Sequence, residues 1–251
     1  HVCHRDQHGV DRRKRQMCIS GSETADSARE VTHSPTNHPT NQDRKPLVLM
    51  TWNASRLLSS GRELALINLL ISSAVDIATV TECEMSETAN DFAVAGYTTF
   101  LPLVPKGKSK TRVIILVKND LVTRANAHVC HDLMDDKTQS VWLRFGPIPP
   151  LGGFTLCGVY RTWSDHDGRV FSVPEATERL EAFNSQITRA AERYARVVVH
   201  GDLNLDLDRS GDPFYSRRNL LAMLLESTEA AGLKTHRTPP TWHSYGLHRV
   251  R

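Results

Sequence analysis

From Leu47 onward the chain is built of short apolar runs, each closed by a polar group, and this pattern limits the fold more than any other feature. LVLMTW (Leu47–Trp52) leads to Asn53, and AVDIATVT (Ala74–Thr81) leads to Glu82. GFTLCGV (Gly153–Val159) leads to Tyr160 and Arg161, and RVVVH (Arg196–His200) leads to Gly201-Asp202-Leu203-Asn204. Such runs are the signature of buried strands, and they are far too short to cross a bilayer as helices. Further strands are expected over Tyr97–Val104, Arg112–Val117 and Gln139–Phe145, the last with Val141, Leu143 and Phe145 on one face. Helical spacing over Arg62–Ser73 gives a stripe of Leu64, Ile67, Leu70 and Ile71. A longer helix spans Pro174–Tyr194 around Leu180, Phe183 and Ile187, and another spans Tyr215–Ala231 up to Gly232. Strands outnumber helices, and hairpin-length turns separate many of them. The class is therefore α/β: two mostly antiparallel sheets packed face to face, with helices outside.

Residues 1–45 have another character. VTHSPTNHPTNQ (Val31–Gln42) has two prolines and almost no aliphatic side chain, too little to offset the entropy of ordering it. The expectation is a disordered polar tail over 1–45 and a folded domain over 46–251. The run Arg12-Arg13-Lys14-Arg15 has two readings, a solvated charge cluster or a nuclear import signal. Cys3, His4, His8 and Cys18 lack zinc-ligand spacing. Five scattered cysteines argue against a disulfide framework and for an intracellular, reducing compartment. No secretory signal and no apolar run of membrane-spanning length is visible, so no membrane partner is expected. The net charge of +3 neither demands nor excludes nucleic acid.

Two common chemistries lose their support. Gly107-Lys108-Ser109 has Pro102 where a phosphate-binding loop needs its first glycine. Neither a Gly-x-Gly-x-x-Gly nor a Gly-x-Ser-x-Gly motif occurs. The segment Gly201-Asp202-Leu203-Asn204 is balanced between two readings: a turn, from its composition, and a site, from its place at the end of a buried strand. Asn53, Glu82 and Tyr160 are each weak alone. Their coincidence carries the argument: four strands, each ending in a group able to hold a metal or a phosphate.

On these residues the chain resembles the endonuclease/exonuclease/phosphatase, or DNase I-like, superfamily. The matching elements are TWN ending in Asn53, VTE ending in Glu82, GVYR with Tyr160, and GDLN with Asp202 and Asn204, followed by Thr241-Trp242-His243-Ser244. The resemblance covers about Leu47 to Arg251 and is strongest to endonuclease domains of non-LTR retrotransposons. It implies a four-layered α/β sandwich and Mg²⁺-assisted phosphodiester hydrolysis, with Mn²⁺ as a substitute. It implies that Glu82 binds the metal and that Asn53 helps hold the metal or a phosphate oxygen. Tyr160 would bond the scissile phosphate, Asp202 would handle the attacking water or the leaving oxygen, and Asn204 would orient its neighbours. Hard oxygen donors of this kind suit Mg²⁺, which keeps several waters. DNA is the implied partner, with a reverse transcriptase domain downstream.

The chain departs from the family at Thr81, where a Gln is usual, and at His200, where a small residue is common. It opens on His and ends at LHRVR without the family's Ser-x-x-Asp-His element. The expectation is an incomplete nuclease lacking its last core strand. A phosphatase or phospholipase of the same superfamily, and an inactive fragment, are the competing readings. Arg161, Lys106, Lys108, Lys110 and Arg112 are candidate phosphate contacts, and Lys234, Arg237, Arg249 and Arg251 lie in an acid-free tail.

Overall fold

A strand that is apolar on both faces needs cover on both, and the chain supplies it by stacking two sheets between helices. The computed structural model describes residues 17–22, 47–59, 61–86, 92–103, 110–149, 151–165, 167–237 and 246–250. Among them one sheet has the order β11 (Gly246–Val250), β2 (Leu47–Asn53), β3 (Ile77–Met85), β5 (Thr111–Lys118), β4 (Tyr97–Phe100). The other runs β10 (Lys234–Arg237), β1 (Met17–Ser22), β9 (Arg196–Asp202), β8 (Gly152–Tyr160), β7 (Gln139–Ile148), β6 (His128–Val129).

Three apolar clusters separate four layers. Leu66 and Leu70 of α1 (Arg62–Ser72) pack on the outer face of the first sheet, against Met50, Val80 and Ile114. Between the sheets, Leu49, Ile77 and Ile115 meet Leu143 and Leu156. On the far side, α3 (Val173–Arg193) and α4 (Arg218–Ala230) set Leu180, Phe183 and Leu224 against Trp142, Cys157 and Val199. Glu175 reaches back to the Ser172 backbone N–H at 2.8 Å and caps α3 at its start. No helix among the described residues is long and apolar enough to cross a membrane.

Each sheet contains a parallel pair, and these pairs decide where the functional ends lie. β2 runs parallel to β3 across α1, and β8 runs parallel to β9 across α3; the remaining pairings are antiparallel. Asn53 is level with Thr81 at the end of the first pair, and Tyr160 is level with Asp202 at the end of the second.

Several expectations are corrected. Met17–Ser22 lies within the segment expected to be disordered, yet it forms β1 between β9 and β10, because its backbone extends the sheet beside Arg196–Gly201. Two stretches of the acid-free tail are strands: Lys234–Arg237 pairs with β1, and Gly246–Val250 pairs with β2. α1 turns Leu70 and Ile67 inward as expected, with Leu66 beside them, but leaves Leu64 and Ile71 66% and 71% exposed. In a segment apolar on more than one side, periodicity does not choose the face that meets the sheet. β7 is buried on both faces, since Trp142 is covered by α3 and donates its indole N–H to Gln186 Oε1 at 2.8 Å. The short helix α2 (Asn119–Arg124) had no sequence signal. The rest of residues 1–45, including Arg12–Arg15, lies outside the described residues, as do Lys106, Lys108 and Thr241–Ser244.

Gly158 marks a close approach of the two sheets. A Cβ there would lie 2.7 Å from Ile115 Cγ1 and 3.1 Å from Thr79 Cγ2 on the facing sheet. Gly158→Val is expected to destabilise the protein by about 1–3 kcal/mol through overpacking. Urea unfolding should show a lower midpoint at unchanged slope. Gly211→Ala, with nothing within 4 Å, should stay within about 0.5 kcal/mol of the parent.

Candidate active site

The five residues singled out at strand ends meet at one edge of the sandwich. Asn53 Nδ2 donates to Asp202 Oδ2 across the two sheets at 3.4 Å. Tyr160 OH donates to Glu82 Oε1, also across the sheets and also at 3.4 Å. Asn204 N–H donates to Asp202 Oδ1 at 2.9 Å, and its Nδ2 donates to Arg161 O at 2.8 Å. Asp202 and Tyr160 are buried, while Glu82, Asn53 and Asn204 are half-buried at the surface of the cleft.

Local backbone aims these groups. β3 continues past Glu82 to Met85, with a register shift against β5 between Thr81 and Met85. Within that bulge Glu82 and Glu84 have φ of +54° and +52°, in the left-handed region. A bulge re-aims side chains, and such backbone costs about 1–3 kcal/mol where no glycine relieves it. Gly201 has φ +148°, and a Cβ there would lie 2.0 Å from Val159 O, so only glycine lets β9 run this close to β8. Asn204 has φ +51° and lies beyond the strand end. Its N–H bond to Asp202 makes an Asx turn, as the composition of this segment suggests.

The electrostatics follow from burial. Burial first, and the Asp202 charge second, push the Tyr160 phenol above its usual range, against an Asn204 hydrogen bond and the Arg112 charge. The phenol therefore stays a donor at neutral pH. Arg112 Nε lies 3.2 Å from Glu84 Oε1, and its guanidinium lies 6.0 Å from the centre of the Tyr160 ring. Lys110 is exposed and pairs loosely with Glu84 at 3.7 Å.

Arg161 corrects an expectation. It is 5% exposed, and it donates to Leu203 O at 2.6 Å and Asn204 O at 3.2 Å. Arg217 donates to the same Asn204 O at 2.8 Å. Burial and the neighbouring Arg217 charge lower Arg161 to about 10, still far above neutral pH. Its guanidinium thus clamps the Asp202–Asn204 loop from inside and does not face a phosphate. Sequence reasoning missed Arg217 and Glu84. Neither ends an apolar run, and only folding brings them to the site.

The donor set fits a hard cation. Two carboxylates, Glu82 and Asp202, stand with the Asn53 amide at one cleft, and oxygen donors of this kind suit Mg²⁺ with retained waters. Thr81 Oγ1, beside Glu82 in sequence, is buried without a hydrogen-bond partner among the described residues. No group of three or more His, Cys, Asp or Glu among the described residues forms an all-protein metal cage.

A family model, that of the endonuclease/exonuclease/phosphatase family, matches residues 50–251. No curated protein sequence matches the chain. Among solved structures, the fold is similar to an AP endonuclease from Leishmania major, with TM-score 0.54 and 14% identity over 74% of this chain and 66% of that one. It is similar to the endonuclease domain of a telomere-specific non-LTR retrotransposon, with TM-score 0.51 and 16% identity over 73% of each chain. It is also similar to a Neisseria 3′ phosphatase bound to a product DNA hairpin, with TM-score 0.50 and 16% identity over 72% of this chain and 71% of that one. The chain thus spans just under two thirds of the Leishmania structure. At these identities the likeness is one of fold.

Two kinds of outcome are expected from this geometry, one in stability and one in its pH dependence. Arg161→Leu should cost about 1–3 kcal/mol in urea unfolding, because buried carbonyls lose their donors. Lys110→Ala, at an exposed site, should change stability by no more than about 0.5 kcal/mol. The second concerns Tyr160, whose pKa is raised in the folded state. Its stabilising contribution is present below the unfolded tyrosine value of about 10 and is lost as pH rises through the folded value. Tyr160→Phe should therefore flatten the fall in melting temperature on the alkaline side of pH 10.

Proposed function

The chain belongs to the endonuclease/exonuclease/phosphatase family, and on that premise we propose that it nicks DNA by Mg²⁺-dependent phosphodiester hydrolysis, as the endonuclease domain of a non-LTR retrotransposon. One observation carries this reading: two carboxylates, two amides and a phenol, drawn from four strands of two sheets, meet at one cleft. In the full-length protein the reading implies a reverse transcriptase domain downstream.

In this mechanism Glu82 and Asn53 would hold Mg²⁺, which would supply charge neutralisation at the phosphoryl oxygens. Asp202 accepts the proton of the attacking water as the water oxygen bonds to phosphorus and the P–O bond to the leaving oxygen breaks, that oxygen taking its proton from solvent. Asp202 is kept as an oriented carboxylate by the donors Asn204 N–H and Asn53 Nδ2. Tyr160 swings its donated hydrogen bond from Glu82 to a non-bridging phosphate oxygen. Its raised pKa keeps that proton in place through neutral pH. Asn204 holds the loop in register with Tyr160 and Arg161. Arg112 and Lys110 are the described cations that would meet the DNA backbone, exchanging Glu84 for phosphate.

Plasmid nicking by the purified chain tests this. EDTA should abolish nicking. Asp202→Asn, which keeps the shape of the buried side chain, should lower the rate about 10²–10⁴-fold. Tyr160→Phe should lower it about 10²-fold, as for loss of one oriented donor. Equal, EDTA-sensitive nicking by the parent and Asp202→Asn would reject the assignment of Asp202.

A further inference from the structure

One pleat beneath the cleft, a single buried side chain ties together the strands that carry Asn53, Glu82 and Asp202. His200 precedes Asp202 by two residues on β9, so both project toward the facing sheet. Its Nε2 is hydrogen-bonded to Thr51 Oγ1 on β2, and its Nδ1 lies 3.3 Å from Thr79 Oγ1 on β3. Thr51 precedes Asn53 by two residues on its strand, and Thr79 precedes the Glu82 bulge. All three side chains are buried, at 2% exposure or less. Beside His200 in the register stands Gly158, whose missing Cβ lets the sheets approach closely enough for the ring to span them.

Deeper between the sheets the facing residues are apolar, among them Leu49, Ile77 and Leu156. His200 thus marks the level at which the interior changes from apolar packing to the polar groups of the cleft. Neutral imidazole has one donor and one acceptor, and each threonine hydroxyl rotates to match, so either tautomer satisfies both contacts. An apolar side chain of similar size would fill the volume and leave both hydroxyls to find other partners. The Asn53–Asp202 contact lies one pleat away and spans 3.4 Å, a long hydrogen bond that a small shift between the sheets would break.

We infer that His200 is a positioning residue for the proposed hydrolysis: its imidazole fixes β9 against β2 and β3 and so sets the approach of Asp202 to Asn53 and Glu82. The inference rests on the reading of those residues as the catalytic set. It predicts a loss in kcat more than in KM, because misplaced groups fail the transition state while the surface that meets DNA is unchanged.

The test compares the parent, His200→Leu, His200→Gln and Asp202→Asn in steady-state nicking, thermal unfolding and ¹⁵N NMR of the Asn204 amide, which donates to Asp202. His200→Leu should fold and lose about 10²-fold in kcat, with KM within about threefold of the parent. The Asn204 amide resonance should shift. His200→Gln, which keeps a donor and an acceptor, should recover at least about a tenth of the parent rate and move the resonance back. Parent-like kcat in His200→Leu, or a kcat loss in which Gln does no better than Leu at equal folded fraction, would overturn the inference. Should His200→Leu fail to fold, the same comparison of kcat and amide shift is made between the parent and Thr51→Val, which removes the hydroxyl bonded to His200 Nε2 and keeps the side-chain volume. A reduced kcat with unchanged KM supports the positioning role, and parent-like values with an unmoved amide overturn it. Should Asp202→Asn nick like the parent, the catalytic reading fails by itself, and the Asn204 amide shift in His200→Leu still decides whether the clamp sets the position of Asp202.

Discussion

Close contact between the two sheets governs everything else in this molecule. β8 and β9 meet β2 and β3 face to face, and that approach is possible because Gly158 presents no side chain to Ile115 and Thr79. Polar atoms that would be costly between apolar layers are satisfied by one another through His200, Thr51 and Thr79. With the sheets held so, the ends of two parallel strand pairs fall level, and groups distant in sequence come within hydrogen-bond reach. A wider gap would leave the same residues at the same strand ends without the Asn53–Asp202 and Glu82–Tyr160 contacts.

Burial gives these contacts their chemical character. Asp202 is fully buried, and the Asn204 N–H and the Asn53 amide are aimed at its side chain. Tyr160 keeps its proton because burial and the same carboxylate disfavour the phenolate. Arg161 and Arg217 place two positive groups on one carbonyl, that of Asn204. Their mutual repulsion is offset by bonds that hold the loop after β9 in one shape. The cleft therefore couples a rigid, buried side to a more exposed side, where Glu82, Glu84 and Arg112 face the solvent-accessible edge.

Much of the architecture was legible in the sequence, for identifiable reasons. The runs around Met50, Val80, Leu156 and Val198 are β-branched or apolar over a strand's length, and each became a central strand. α3 was legible from Pro174 in its first turn and the stripe Leu180, Phe183 and Ile187. Four strands were not legible, three of them at sheet edges and β1 beside one. β1, β6, β10 and β11 take their place from backbone pairing with a neighbour, and a pattern of side chains does not encode that pairing. α1 was legible as a helix but not in its orientation, because ELALINLLI is apolar on more than one side.

The sequence by itself determined which residues could do chemistry: Asn53, Glu82, Tyr160, Asp202 and Asn204 are marked by the apolar strands they close. Burial of a strand is a local property of composition, and so is the polar break that ends it. Tertiary structure alone decided what those groups became. It turned Arg161 inward to clamp a loop and brought Arg217 to the same carbonyl. It put Glu82 in a bulge rather than at a strand end, and it made His200 a bridge between sheets rather than an oddity beside a glycine. Each of these depends on distances across the sheet interface. Such distances are set by the packing of side chains far apart in sequence, which no local pattern records.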